Sequence, residues 1–325
     1  MIDELIVKAI KVGELPECSR NTKLAERSWI HRGGDVKYWW SPKNTEELVE
    51  IGRFLFKHNQ KFITIGHTSN IYFKDSFKID HIIDTKKLTK YEILIDENLI
   101  VCDCGVHMSK LSMRAVINGY AGFEGMINLP GTVGGAIVNN SGCYECGIDK
   151  VLKSIDLLTE EGVVLNLKAK DLEYSFRTSN LKTGKLKGII LRAFMDISVK
   201  ESSEKLIRIA EDNTKDRIES QDPPANNLGT IVNVGGYNSN FKNAIIRGLL
   251  KAYKFIDKSP RHNFKLSKSL ILTLYNKRHL SKYISDKRMG CYIWNDKDAD
   301  MFFDEYLDLI RSVYKHSSIE IEVFS

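Results

Sequence analysis

The sequence predicts an α+β fold. Many short candidate strands are separated by a few helices, the two do not alternate in a regular βα rhythm, and no internal repeat is present. After an irregular start, Asn44-Thr45-Glu46-Glu47 reads as a helix N-terminus, with acids in the first turn where the helix dipole favours them. Leu48, Ile51, Leu55 and Phe56 follow at helical spacing. A strand over 61–65 runs into Gly66, and further strands are expected at 79–84, 91–96 and 99–104. A helix over 109–118 closes at Gly119. A glycine-rich stretch from 122 to 147 then precedes strands near 151–158, 163–167 and 188–197. A helix beginning at Ser202 or Ser203 reaches about Arg217. The turn-rich segment 221–236 holds two of the six prolines and marks a domain boundary. Beyond it lie a basic, aromatic-bearing region, a helix over 299–314 and a terminal strand over 318–324.

A length of 325 residues suits two or three domains, and 42% hydrophobic with 28% charged residues excludes wholesale disorder. The 22 glycines and 6 prolines follow no period, which excludes a collagen-like fibre. No run approaches the roughly 18–20 apolar residues of a membrane helix. The start, Met1-Ile2-Asp3-Glu4-Leu5, carries acids where a signal peptide needs a basic region. The expected location is therefore the cytoplasm, with no membrane partner. Six cysteines are not a disulfide framework, and a reduced state is expected. Cys102 and Cys104 share one face of a strand. Cys143-Tyr144-Glu145-Cys146 has redox-motif spacing but lacks the strand–turn–helix context and a second pair for zinc, so a loop or core role is expected and no metal site.

Two nucleotide signatures are absent: G-x-x-x-x-G-K-[ST], and G-x-G-x-x-G between a strand and a helix. Two other loops are candidates. A strand empties into Gly66-His67-Thr68-Ser69-Asn70, whose backbone N–H groups form either an anion-binding nest or an ordinary glycine turn. In Leu129-Pro130-Gly131-Thr132-Val133-Gly134-Gly135-Ala136, running on through Asn139-Asn140-Ser141-Gly142, the glycines let backbone approach a ligand or a packed neighbour closely. Donors around Ala136, Asn139 and Asn140 would suit phosphate oxygens. Two separated phosphate-friendly loops point to a long ligand with a diphosphate in its middle.

The pairing of Gly66-His67-Thr68-Ser69-Asn70 with Pro130-Gly131-Thr132-Val133-Gly134-Gly135-Ala136 resembles the UDP-N-acetylenolpyruvoylglucosamine reductases, the MurB family. Arg32-Gly33-Gly34 looks like the family's early Gly-Gly element, and Gly122-Phe123-Glu124-Gly125 like its lead-in to Pro-Gly-Thr. Glu173-Tyr174-Ser175-Phe176-Arg177-Thr178-Ser179 is similar to the segment with the family's active-site Arg, and Arg217-Ile218-Glu219-Ser220-Gln221 to its R-x-x-x-Q. The last stretch places Glu322 on the family's catalytic Glu, and Gly229-Thr230-Ile231-Val232 stands at its catalytic Ser loop. The resemblance covers about residues 22–234 and 288–324. It implies a two-subdomain FAD-binding module of the PCMH type, over 1–95 and 96–200. A smaller substrate domain over 201–325 would follow, its C-terminal strand returning to the active site.

It also implies the chemistry. NADPH reduces FAD, and the flavin passes hydride to the enolpyruvyl double bond of a UDP-sugar in peptidoglycan precursor synthesis. Arg177, with its planar guanidinium, is suited to the carboxylate that gathers charge. Glu322 would act as acid or orienting group, and Thr230 would protonate the carbon. The FAD-binding residues implied are Gly66, His67, Thr68, Ser69, Asn70, Pro130, Gly131, Thr132, Gly134, Gly135, Ala136, Asn140 and Gly142.

The chain departs from the family in three places. Thr230 stands for Ser, Asn233-Val234-Gly235 for Lys-Asn-Pro, and His67-Thr68 for two glycines. These departures keep two alternatives open: an FAD-dependent oxidoreductase of another sugar or alcohol, or a non-catalytic flavin-fold protein whose basic region contacts a polyanion. Nucleic acid is otherwise not expected. Residues 235–287 do not follow the family's substrate-domain pattern, and 242–288 hold 13 Lys+Arg against Asp257 and Asp286. That block is +11 within a chain of +6, so the other 278 residues sum to −5. Either it is a solvated face, or it replaces the missing loop cation in holding an anionic nucleotide-sugar.

Overall fold

Apolar stripes and strand faces sort the chain into two hydrophobic clusters, one around Trp40, Leu55, Ile100 and Leu157, the other around Tyr72, Ile231, Tyr292 and Phe303. The computed structural model describes residues 2–223 and 225–325; Pro224, in the turn-rich segment, and Met1 lie outside the described residues. From the N-terminus come α1 (Ile2–Lys11), β1 (Cys18–Lys23), β2 (Asp35–Trp40), α2 (Thr45–Lys57), β3 (Phe62–Ile65), β4 (Ile71–Phe73) and β5 (Ile79–Asp84). Next are β6 (Tyr91–Leu94), β7 (Leu99–Asp103), α3 (Met108–Ile117), α4 (Val133–Val138), β8 (Gly142–Cys143) and β9 (Cys146–Gly147). α5 (Ile148–Val151), β10 (Leu152–Leu158), β11 (Val164–Lys168), β12 (Ile189–Asp196) and α6 (Ser203–Ser220) follow. The rest is β13 (Val232–Tyr237), α7 (Phe241–Ile256), α8 (Pro260–Leu274), α9 (Ala299–Val313), β14 (Tyr314–Ile319) and β15 (Glu322–Phe324). The α+β expectation holds.

Two compact units result. The first is Met1–Leu24, Asp35–Thr68 and Lys78–Lys215; the second is Ala25–Gly34, Ser69–Phe77 and Asp216–Ser325. In the first unit a four-stranded sheet has the order β1-β2-β5-β3, and an antiparallel five-stranded sheet has the order β11-β10-β12-β7-β6. α2 starts where the sequence places it: the Asn44 side chain accepts from Glu47 N–H at 2.8 Å. Gly52 lets this helix press onto the second sheet, because a Cβ there would stand 2.5 Å from Leu158 and 2.8 Å from Ile189 side-chain carbons.

The first sheet also holds a buried base. His81 accepts from Trp40 Nε1 at 3.2 Å and stacks on Tyr38 at 5.1 Å. Burial pushes its pKa down to about 4. Its folded value lies below the unfolded one, so stability is intact above pH 6.5 and is lost as pH falls from there towards 4. Acid unfolding should therefore show a step of roughly 2–3 kcal/mol in that window. His81→Gln, followed by denaturant titration across pH, should flatten the step; an unchanged slope would refute the assignment.

The second unit carries two parts of the chain's end. The sequence predicts one terminal strand over 318–324, but two are present. β14 pairs antiparallel with β13, and β15 pairs parallel with β4. The break falls after Glu320, whose N–H still donates to Ile231 O at 2.9 Å beside β13, whereas Glu322 N–H turns to Asn70 O at 3.0 Å. The start, read as irregular, instead holds α1, β1 and β2. α6 runs three residues past the expected Arg217, its C-terminal carbonyls capped by cations: Lys287 Nζ reaches Ile218 O and Gln221 O, and Arg288 Nε reaches Ser220 O. The basic region 242–288 contains α7 and α8. α7 is capped by Asn240, and α8 by Ser259 with Pro260 at its first position.

Candidate active site

In the first unit the strand β3 ends at Gly66, and the two candidate loops meet there. A Cβ on Gly66 would stand 2.3 Å from Thr132 Oγ1 and 2.7 Å from its Cγ2. Thr132 is in turn the N-cap of α4 and accepts from Gly135 N–H at 3.3 Å. The Gly134 N–H bonds Cys104 O at 2.8 Å, Val133 N–H bonds Val106 O at 2.9 Å, and Ala136 N–H bonds Thr132 O at 2.9 Å. The donors of residues 133–136 are thus spent on the turn that follows β7 and on Thr132. Pro130 is exposed, and Gly131 has φ +108. The stretch offers a ligand a closely approachable backbone surface rather than the row of free N–H groups that the sequence suggested around Ala136.

Thr68 keeps a glycine-like conformation without being glycine. It is buried with φ +54, a strained position for a β-branched residue. His67 meets His107 edge to face at 4.7 Å. Burial first, then the neighbouring His107, Lys86 and Lys110, push its pKa down to about 4. It is neutral at physiological pH and offers one N–H. Ser69 and Asn70 belong to the second unit, at the start of β4.

The far end of the glycine-rich stretch is tied to the Arg177 loop. Asn140 Nδ2 donates to Ser175 O at 2.9 Å, and Arg177 Nη2 donates to Gly142 O at 2.6 Å. Arg177 has φ +53, and its guanidinium lies 5.7 Å from the Phe176 ring centroid. Asn140 itself has φ +42. A non-glycine residue persists in this conformation only where its surroundings over-determine it, and such positions concentrate at binding sites. Among the described residues, Asn140 Oδ1 and Tyr174 Oη are buried without a hydrogen-bond partner. Orphaned polar atoms beside a glycine cradle fit a polar ligand laid along Gly66, Thr132, Asn140 and Gly142, as FAD would be.

The Cys143–Cys146 spacing has a local explanation. β8 and β9 form a hairpin in which Cys143 pairs with Cys146, and the two turn residues Tyr144 and Glu145 have φ +51 and +62. The Cys146 thiol accepts from Gly125 N–H at 3.3 Å, and burial raises its pKa. The early Gly-Gly element is structural as well. Gly33 N–H donates to Asp75 at 3.0 Å, and a Cβ on Gly34 would lie 2.4 Å from Phe77 O.

The second unit ties together the backbone segments that carry Thr230, Glu322 and Asn70. Ile231 O accepts from Glu320 N–H at 2.9 Å, and Asn70 Nδ2 donates to Glu320 O at 3.3 Å. Glu322 pairs in register with Ile71. Sequence reasoning missed Arg288. Its Nη1 donates to Thr230 Oγ1 at 3.1 Å, and its Nη2 to Ser220 Oγ at 3.0 Å. The only available signal was that it belongs to the basic block, one cation among thirteen.

The rest of that block divides in two. Lys268 is buried on Ile284 O and Asp286, Lys277 pairs with Glu305, and Lys282 with Asp296 at 2.7 Å. The cations of α7 remain exposed.

Residues 37–168, which contain the glycine cradle at the end of β3, match the FAD binding domain family. The chain belongs to the UDP-N-acetylenolpyruvoylglucosamine reductase family, as a divergent member. A reductase of that name from Carboxydothermus hydrogenoformans is 32% identical over 211 residues, covering 65% of this chain and 68% of the relative. Another, from Caldicellulosiruptor saccharolyticus, is 33% identical over 177 residues, covering 54% of this chain and 56% of the relative. The match therefore spans little more than half the length of the relative from Caldicellulosiruptor. The crystal structure of the Thermus caldophilus reductase (MurB) superposes with a TM-score of 0.68 at 16% identity, covering 95% of this chain and 99% of that one, which shows the fold. The resemblance read from the Gly66 and Gly131 loops is borne out.

Proposed function

We propose that the protein is an FAD-dependent reductase that converts the enolpyruvyl ether of a UDP-sugar to its lactyl ether. What carries the reading is the Arg177 loop, held in a strained conformation against Asn140 and Gly142 at the end of the glycine-rich stretch. Bound FAD, reduced by NADPH, supplies the hydride for the double bond.

The chain's residues manage the charge that follows. Hydride arrives as two electrons and one hydrogen nucleus at the terminal CH2 carbon, and the electron pair of the double bond moves to the carbon beside the carboxylate. Arg177 pairs with that carboxylate as its charge grows. The Thr230 hydroxyl gives its proton to the carbon, forming the second C–H bond. Arg288 stands on Thr230 Oγ1 and favours the departing proton, because a neighbouring cation lowers the cost of the alkoxide. Glu322 orients the substrate or returns the proton to Thr230. Thr for Ser keeps the hydroxyl, and its bonded Arg288 restrains the rotamer that the added methyl would otherwise scatter. The second unit serves as the substrate domain, and the reaction belongs to the cytoplasm, in peptidoglycan precursor synthesis. Among the described residues, no helix is long and apolar enough to cross a membrane.

The test is a two-stage stopped-flow experiment without oxygen. NADPH should bleach the bound flavin, and UDP-N-acetylglucosamine enolpyruvate should then restore its colour. A flavoprotein that NADPH reduces but that substrate fails to reoxidise would sink this reading. It would favour an oxidoreductase of another sugar or alcohol on the same fold.

A further inference from the structure

We infer that the outer face of α7 docks the protein onto an anionic lipid surface. On a wheel of about 100° per residue, Phe241, Ile245, Gly248, Leu249, Phe255 and Ile256 fall within one arc of roughly 120°. Phe241 is 80% exposed, Leu249 48%, Phe255 83% and Ile256 84%, and nothing lies within 4 Å of where a Cβ on Gly248 would be. The opposite side of the helix carries the packing: Asn243 and Ile246 are buried, with Asn243 Nδ2 on Val313 O at 2.9 Å. A helix tied down on one side and apolar on the other has its hydrophobic face turned outward.

The charges say what covers it. Arg247, Lys251 and Lys254 run along one flank of the apolar arc, and Lys258 follows its C-terminal end. All four are exposed, with no ion-pair partner among the described residues. The nearby acid, Asp257, is taken up by His262 Nδ1 at 2.7 Å and Ser259 N–H at 2.8 Å. A second copy of this chain packed face to face would set these cation rows against each other. A bilayer with anionic headgroups accepts both features at once: the phosphates take the flank, and Phe255 and Ile256 enter the acyl boundary. The sequence argument against a membrane partner concerned a spanning helix; α7 would lie in the plane.

The full-length protein is floated with vesicles of phosphatidylcholine alone, and of two parts phosphatidylcholine to one part phosphatidylglycerol. It should bind the anionic vesicles only, with binding falling at high salt and dropping about fivefold for each of Lys251 and Lys254 changed to Ala. Phe255→Ser with Ile256→Ser should lower binding at least tenfold while leaving the melting temperature unchanged, since both side chains are exposed. No binding to the anionic vesicles overturns the proposal. So does binding that the double serine variant leaves unchanged, or a solution dimer or acidic-protein complex that the same variant abolishes while no vesicle binding occurs.

Discussion

Thr230→Ala is expected to slow substrate-dependent flavin reoxidation by about 10²–10⁴-fold, the range that a positioned proton donor contributes. Flavin reduction by NADPH should proceed at the wild-type rate, because that step needs no proton from this residue. The split between half-reactions distinguishes a lost proton from a damaged fold. Arg288 sharpens the expectation. Its bond to Thr230 Oγ1 at 3.1 Å occupies a lone pair of that oxygen and leaves the O–H to donate elsewhere. Arg288→Lys should therefore cost part of the same rate and make it more pH-dependent, since a point charge replaces a fork that also grips Ser220. Thr230→Ser should retain activity. Equal reoxidation rates in Thr230→Ala and wild type would remove Thr230 from the mechanism.

Gly66→Ala should strip the protein of its flavin. The added methyl would lie 2.3 Å from Thr132 Oγ1 and 2.7 Å from Cγ2, well inside van der Waals contact. Thr132 cannot swing away cheaply, because it caps α4 through Gly135 N–H. Relief would come from moving the two loops apart, which opens the surface on which we place the cofactor. Overpacking of this kind costs about 1–3 kcal/mol in stability, and a 1 Å misplacement of a binding loop costs affinity on top. The expected readout is a nearly colourless purified protein and at least a hundredfold weaker flavin retitration. Thr132→Gly in the Gly66→Ala background restores the space and should return part of the affinity, a coupling that a double-mutant cycle measures. A yellow Gly66→Ala protein with wild-type retention would show that the two loops do not jointly hold the cofactor.

Much of the architecture was legible residue by residue. Asn44 and the acids behind it announce α2, the apolar runs at 79–84 and 99–103 announce β5 and β7, and the order of the glycine-rich, Arg177 and Glu322 segments announces the family. These signals are local: a cap, an alternation and a motif each sit within a few residues of what they specify. α7 went unpredicted although its residues keep a helical period about as clear as that of α2. The Cys143–Cys146 spacing, which reads equally as a redox motif or a loop, is the geometry of a two-residue hairpin.

By itself the sequence determined the fold class, the cofactor-binding family and most of the residues proposed for the site, because each is written in short-range pattern. Tertiary structure alone decided three things. It split the chain's end between β13 and β4, it spent the N–H donors of residues 133–136 on the turn after β7 and the α4 cap, and it set Arg288 on Thr230. All three depend on partners far away in the chain. Which buried donor meets which acceptor is settled by packing, since an unmet one costs about 1–3 kcal/mol wherever its partner lies in the sequence.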